Sequence, residues 1–80
     1  MPTERHSAME TLDAKELRMF RAVARIGSIR GAAEHVHVAP SVVSRQIAET
    51  ERKIGLSLFE RNARGVALTE AGELVLEHTR

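Results

Sequence analysis

The apolar residues of the chain fall into blocks with the spacing of amphipathic helices. In the first block they recur at intervals of three or four positions: Leu17, Phe20, Val23 and Ala24. This spacing predicts a helix that turns one face toward a core. Asp13 and Glu16 have the spacing of a capping box at its start, and Gly27 is placed to end it.

Two more helices are predicted, with a short turn at residues 37–39 between them. Ser28 is positioned to cap the first, and its inward face is small because it carries Ala32 and Ala33. An alanine pair allows two helix backbones to approach closely, as the crossing of a helix-turn-helix requires. Pro40 begins the second helix, since its fixed φ suits a first helical position. The inward stripe of that helix, over residues 40–54, consists of Val43, Ile47, Thr50 and Ile54.

The opposite side of the helix over residues 40–54 is formed by small residues with one exception. Outside the stripe lie Ser41, Val42, Ser44, Arg45 and Ala48. Such a face lets the helix sink into a groove of a duplex while the Arg45 guanidinium reaches a base edge or a phosphate. An exposed helix that carries an incidental arginine is the alternative at this point.

The helical spacing of apolar residues ends before residues 56–68, and a two-stranded hairpin is predicted there. Turn-forming residues separate two short apolar stretches, and Gly65 is placed where a positive φ is needed. Arg61 and Arg64 are expected at the tip of the hairpin, within reach of a phosphate or the minor groove. Thr69 is then placed to cap a last amphipathic helix.

Composition and charge narrow the class of protein. The 80 residues predict one domain, and the absence of cysteine excludes disulfides and thiolate zinc sites and favours a reduced, cytoplasmic environment. No apolar run approaches the roughly 18 residues of a membrane span. Residues 39–65 hold five Lys or Arg and three acidic residues, a net of +2, whereas residues 66–80 hold one Arg and three Glu, a net of −2. The basic residues are mostly arginine, which suits forked contacts with phosphate and guanine.

In their joint order and spacing these residues resemble the N-terminal DNA-binding domain of LysR-type transcriptional regulators, from about Leu12 to the end of the chain. The matching positions are Leu17, Phe20, Val23, Ala24, Gly27, Ser28, Ala32, Ala33, Val38, Ser44, Arg45, Gln46, Ile47, Glu51, Gly55, Leu58, Phe59, Arg61, Leu68, Thr69, Ala71 and Gly72. The resemblance implies a mainly α winged helix-turn-helix, with a three-helix core, a small two-stranded β wing and the start of a linker helix.

The resemblance also implies a domain plan and a set of partners. Residues 1–11 would form a flexible lead, residues 12–68 the domain, and residues 69–80 the start of a truncated linker helix that makes a homodimer. The implied partner is double-stranded DNA, with no cofactor, metal or membrane, and an effector-binding domain would lie outside this chain. By motif position, groove contacts would fall on Pro40, Ser41, Val43, Ser44 and Arg45. Arg64 would make the wing contact, with Arg61 as the second cation of the hairpin.

The sequence also bears on other classes of function. An enzyme is disfavoured, because the only aspartate, Asp13, has a capping context and the chain has no nucleophile elbow or phosphate-cradling glycine loop. His35 and His37 are two positions apart, which puts them on different helix faces and disfavours a zinc pair. A protein-interaction module that docks through residues 40–54 stays open, as does a winged-helix regulator of another family.

Three residues depart from the family pattern. Ala39 stands where a serine cap is common, and Pro40 stands where glutamine is common, which leaves base preference there open. Thr50 stands where leucine is usual, and its hydroxyl is expected to bond to the Gln46 carbonyl.

Thr50→Leu is predicted to raise the midpoint of denaturation, because leucine buries more apolar surface on the core stripe than threonine does. Chemical denaturation of the two proteins measures the difference. A clear drop in the midpoint would contradict the assignment of Thr50 to a core position that accepts leucine.

Overall fold

The computed structural model describes residues 12–79, which form four helices and one antiparallel hairpin in a winged helix-turn-helix arrangement. In chain order the elements are α1 (Ala14–Ile26), α2 (Ile29–Val36), α3 (Pro40–Ile54), β1 (Phe59–Asn62), β2 (Gly65–Leu68) and α4 (Glu70–His78). The predicted fold class is therefore confirmed. The lead predicted over residues 1–11 lies outside the described residues.

Three of the four described helices start where a short polar side chain satisfies one of the first amide groups. Asp13 accepts from the Glu16 amide at 2.8 Å, and the Glu16 carboxylate accepts from the Asp13 amide at 3.0 Å, so the predicted capping box is present. Ser28 and Thr69 cap α2 and α4 in the same way. Gly27 ends α1 with φ of 77°, a left-handed conformation that glycine adopts without strain.

The core consists of two clusters that share α1. The first lies between the three helices of the helix-turn-helix and contains Met19, Ala22, Val23, Ala32, Ala33, Val43 and Ile47. The second joins α1 to the wing and α4 and contains Phe20, Leu58 and Val75. Phe20 and Val23 are buried as predicted, whereas Leu17 and Ala24 are only half-buried. Because α1 is covered on two sides, its buried arc is wider than the single stripe that the spacing predicted.

The turn between α2 and α3 is made without glycine. Ala32 and Ala33 are buried at the crossing of α2, as their size predicted. His37 ends α2 in a left-handed conformation with φ of 63°, which is uncommon for a residue with a side chain. Ala39 has extended angles and provides no side-chain cap for α3. Thr50 is buried, and its hydroxyl donates to the Gln46 carbonyl at 3.0 Å, so that prediction is confirmed.

The hairpin is short and sharply turned. Its register pairs Phe59 with Leu68 and Asn62 with Gly65, which leaves Ala63 and Arg64 as the two turn residues. Arg64 therefore occupies the tip, as predicted. Arg61 lies three residues earlier, within β1 and opposite Val66, so its predicted position at the tip is wrong.

The hairpin is packed directly on the turn between α1 and α2. The Val66 amide donates to the Gly27 carbonyl at 3.1 Å. Gly65, with φ of 140°, lies so close that a Cβ there would overlap the same Gly27 carbonyl oxygen. The Thr69 amide and hydroxyl tie the other end of the hairpin to the carbonyls of Leu58 and Ser57, at 3.0 and 2.6 Å.

A buried carboxylate connects the start of α1 with the end of α3. Glu16 is 5% exposed, and its second oxygen accepts from the Lys53 ammonium at 2.7 Å. The hydrogen bond with Glu16 raises the pKa of Lys53 above its usual value. Charged groups are rarely buried without a partner, and here the cap and the ammonium supply one for each oxygen.

Gly65→Ala is predicted to destabilise the domain more than Gly55→Ala. Both glycines have positive φ, so both substitutions strain the backbone. At Gly55, which is in the left-handed helical region, the cost is about 1–2 kcal/mol. Only at Gly65 would the new methyl group also collide with backbone, since the space around Gly55 is open. Urea denaturation measures both free energies of unfolding, and equal losses would contradict the packing of the hairpin on Gly27.

Candidate nucleic-acid interface

The interface begins with the exposed edge of α3. Within α3, Ser41, Arg45, Ala48 and Arg52 are exposed and recur at helical spacing. Pro40 is exposed at the first position and Ser44 is half-buried beside the edge. The inward stripe fixes this orientation, because Val43, Ile47 and Thr50 are buried on the other side. The structure therefore brings four of the predicted contact residues, Pro40, Ser41, Ser44 and Arg45, to one end of one helix.

Val43 is the exception among the predicted contacts. Its side chain is 0% exposed and belongs to the core cluster between α1, α2 and α3. A groove contact by this side chain is therefore wrong, because reaching a duplex would require opening the core. The resemblance assigned Val43 by its place along the motif, whereas the 3.6-residue period of the helix turns that position inward.

The cation of α3 that forms no ion pair within the described part of the chain lies in the N-terminal half of the helix. No acidic residue occupies the first turn of α3, so the partial positive charge of the helix N-terminus is not neutralised there. Farther along, Arg52 is paired with Glu49. Among residues 12–79, no carboxylate forms an ion pair with Arg45. The most available guanidinium of the edge is thus the one nearest the helix start.

The wing adds two more exposed cations. Arg61 in β1 and Arg64 in the turn are both exposed, and neither is ion-paired with another described residue. The Asn62 side chain accepts from the Arg64 amide at 2.8 Å and so fixes the backbone of the turn. Such a local bond is the usual role of asparagine in turns.

Glu51 orders the connection between α3 and the wing, and the sequence patterns did not reveal this role. One of its carboxylate oxygens accepts from the Leu58 amide at 2.8 Å and from the Phe59 amide at 3.2 Å. Leu58 and Phe59 lie beyond the end of α3, so the helical period that relates residues within α3 does not indicate this contact.

Outside this interface, the described residues form no metal-binding cluster and no membrane-spanning helix. A groove of about 630 Å³ lies along α1 and α2, with Arg18, Arg21, Arg25 and His35 among its lining residues. Residues 12–79 contain no group of three or more histidines and carboxylates that could hold a metal ion. None of the helices within that range is long and apolar enough to cross a membrane. Asp13 serves as a helix cap rather than as part of a reactive pair.

The helical core, the wing and the exposed α3 edge define the class of protein as a winged helix-turn-helix domain. The model for bacterial regulatory helix-turn-helix proteins of the lysR family matches residues 14–73. Since this match spans most of the chain, the chain belongs to the lysR family.

Two curated relatives extend the comparison. The chain is 46% identical over 70 residues to an uncharacterized HTH-type transcriptional regulator, y4mQ, of Sinorhizobium fredii, covering 88% of this chain and 24% of the relative. It is 48% identical over 66 residues to the RuBisCO operon transcriptional regulator of Allochromatium vinosum, covering 82% of this chain and 22% of the relative. The chain thus spans about a quarter of the length of these relatives. Both are named as regulators of transcription rather than as enzymes, which agrees with the prediction that the chain is not an enzyme.

Two solved structures have the same fold. One is the complex of CbnR_DBD with DNA, with a TM-score of 0.80 and 38% identity, covering 85% of this chain and 78% of that one. The other is the complex of BenM_DBD with catB site 1 DNA, with a TM-score of 0.78 and 33% identity, covering 82% of this chain and 73% of that one.

Proposed function

We propose that this domain binds double-stranded DNA sequence-specifically as the DNA-binding part of a LysR-type transcriptional regulator. In this proposal α3 enters the major groove with its exposed edge, and the wing contacts the sugar-phosphate backbone or the minor groove. The contact residues are Pro40, Ser41, Ser44 and Arg45 on α3, with Arg61 and Arg64 on the wing. The likeness to CbnR_DBD and BenM_DBD, both solved with DNA, supports the assignment.

The observation that carries the proposal is the shape and charge of the α3 edge. The major groove is wide enough to admit an α-helix, and short side chains allow the helix to approach the base pairs closely. Around the start of α3 the exposed and half-exposed side chains are small apart from Arg45. A single long guanidinium beside serines matches a duplex edge, where it can donate two hydrogen bonds to the N7 and O6 atoms of guanine.

Each end of the contact surface has its own task in this proposal. The amides of Val42 and Val43 already donate to the Ala39 carbonyl, so the Ser41 amide and the serine hydroxyls are the groups that suit phosphate oxygens. Phosphate contacts fix the register of the helix on the duplex. Pro40 has no amide hydrogen and no polar side chain, so it offers only apolar contact, such as with a thymine methyl group. Arg64, in the two-residue turn, would contact the sugar-phosphate backbone of the duplex. Such a contact carries no information about the base sequence.

The proposal extends to a homodimer formed through the linker helix. In α4, Leu74 is 56% exposed although its neighbour Val75 is buried, so an apolar side chain faces away from the domain. Two copies on DNA would occupy half-sites about one helical turn, roughly 34–36 Å, apart. The effector-binding domain and a cytoplasmic location beside the chromosome belong to the same proposal for the whole regulator.

A protein-interaction module using the same α3 face is the second candidate. The charge pattern does not favour this candidate over DNA. An unpaired arginine beside a helix N-terminus that carries no acidic residue suits an anionic partner such as a phosphate. The two functions differ in salt dependence. For DNA binding, log affinity should fall with log salt by about 0.9 per phosphate contacted.

Selection of bound duplexes from a random pool at stated salt tests the function directly. The expected result is an enriched operator with two related half-sites. A pool that shows no enrichment at low salt would contradict sequence-specific binding.

Arg45→Ala and Arg64→Ala are predicted to weaken DNA binding in different ways. Arg45→Ala should cost about 1–3 kcal/mol on the selected duplex and relax the preference at one base pair, because a base contact is lost. Arg64→Ala should weaken binding evenly across sequences and lower the salt slope by about 1, because a phosphate contact is lost. Titration of selected and scrambled duplexes at several salt concentrations measures both effects.

Arg18→Ala is the matched control, since it removes the same charge from the groove along α1 rather than from the α3 edge. It should leave the preference between selected and scrambled duplexes unchanged. If Arg45→Ala and Arg64→Ala bind the selected duplex as tightly as the Arg18→Ala control does, the groove model is wrong.

A further inference from the structure

Glu51 holds both ends of the connection between α3 and the wing. Its backbone carbonyl accepts from the Gly55 amide at 2.8 Å, which closes the end of α3. Its carboxylate reaches forward to the amides of Leu58 and Phe59, at 2.8 and 3.2 Å. The four residues between α3 and β1 are therefore fixed at their start and at their end by one residue.

The contact of the Glu51 carboxylate with the Leu58 and Phe59 amides is stronger than a contact between neutral groups. A single ionised oxygen accepts from two consecutive backbone amides, and hydrogen bonds to an ionised acceptor are about twice as strong as neutral ones. Leu58 is 0% exposed, so its amide cannot exchange this partner for water without a change in backbone position. Phe59 is the first residue of β1, the strand that leads to Arg61 and Arg64.

The position of this carboxylate is otherwise unfavourable for a DNA-binding helix. A negative charge on the helix that enters the groove is repelled by the phosphates. Glu49, two residues earlier on the same helix, is ion-paired with Arg52 at the surface. Glu51 instead directs its charge into the backbone of the wing.

We propose that Glu51 is a positioning residue for DNA binding, whose carboxylate fixes the wing, and with it Arg61 and Arg64, relative to α3. This inference rests on the proposed function. In the bound state Glu51 touches no DNA; it sets where the wing cations stand when α3 is seated in the groove.

Glu51→Gln on the 80-residue chain gives opposite results for the two possible roles. It keeps the reach of the side chain and removes the charge, so loss of repulsion alone would tighten DNA binding. If Glu51 positions the wing, binding to the selected duplex should weaken about three- to tenfold, as expected when a charged hydrogen bond becomes a neutral one. Glu49→Gln is the matched control, and it should bind as tightly as the wild-type protein or more tightly.

Combined substitutions distinguish positioning from general destabilisation. In a background that carries both Arg61→Ala and Arg64→Ala the wing contacts are already absent, so Glu51→Gln should cause little further loss of affinity. Glu51→Asp, which keeps the charge but is too short to reach both amides, is the second variant and should behave like Glu51→Gln. Thermal denaturation identifies the variants that are folded at the temperature of the titration.

A measurement without DNA keeps the inference separate from the proposed function. In NMR spectra of the free protein, Glu51→Gln should shift the amide signals of residues 58–68, whereas Glu49→Gln should not. In the wild-type protein the Leu58 amide should exchange with solvent more slowly than the Ala63 amide in the turn. A failed duplex selection contradicts sequence-specific DNA binding. The free-protein measurements still test whether the Glu51 carboxylate fixes the wing.

Three results would overturn the inference. They are Glu51→Gln binding DNA at least as tightly as the wild-type protein, an equal loss of affinity with and without the two wing arginines, or unshifted amide signals at residues 58–68 of the free protein.

Discussion

Burial of one side of α3 is the constraint on which the rest of the domain depends. Val43 and Thr50 are almost completely enclosed, and the small residues Ala32 and Ala33 let α2 cross close to them. Because a helix has one inward arc, this packing decides which side chains remain outside. The serines and Arg45 are exposed as a consequence of the core, so interface and core form one arrangement rather than two independent features.

The wing is held to that core by the apolar cluster around Phe20 and by contacts that involve its backbone. Gly65 and Gly27 approach so closely that a side chain at Gly65 would overlap the Gly27 carbonyl oxygen. Glu51 holds the entry of the wing, and Thr69 ties its exit back to Ser57 and Leu58. A hairpin of two four-residue strands has little stability alone, since isolated hairpins are marginal in water. Its order in this domain comes from these anchors.

Features set by neighbours in the chain were predictable from the sequence. The caps at Asp13, Ser28 and Thr69 depend on residues three positions apart, and the α3 stripe depends only on the helical period. Contacts between distant segments were not predictable. Glu16 and Lys53 are 37 residues apart, and no pattern along the chain relates them. Val43 shows a different limit, because a place within a family motif does not state on which side of the helix the residue lies.

The most direct test of the placement of α3 in the major groove is NMR mapping of the backbone amides during titration with a selected duplex. If α3 enters the groove, the largest changes in amide signals should occur at residues 40–45 and 61–64, with small changes along the exposed side of α1. Large shifts along α1 together with unchanged signals at Ser41, Ser44 and Arg45 would contradict the placement of α3 in the groove.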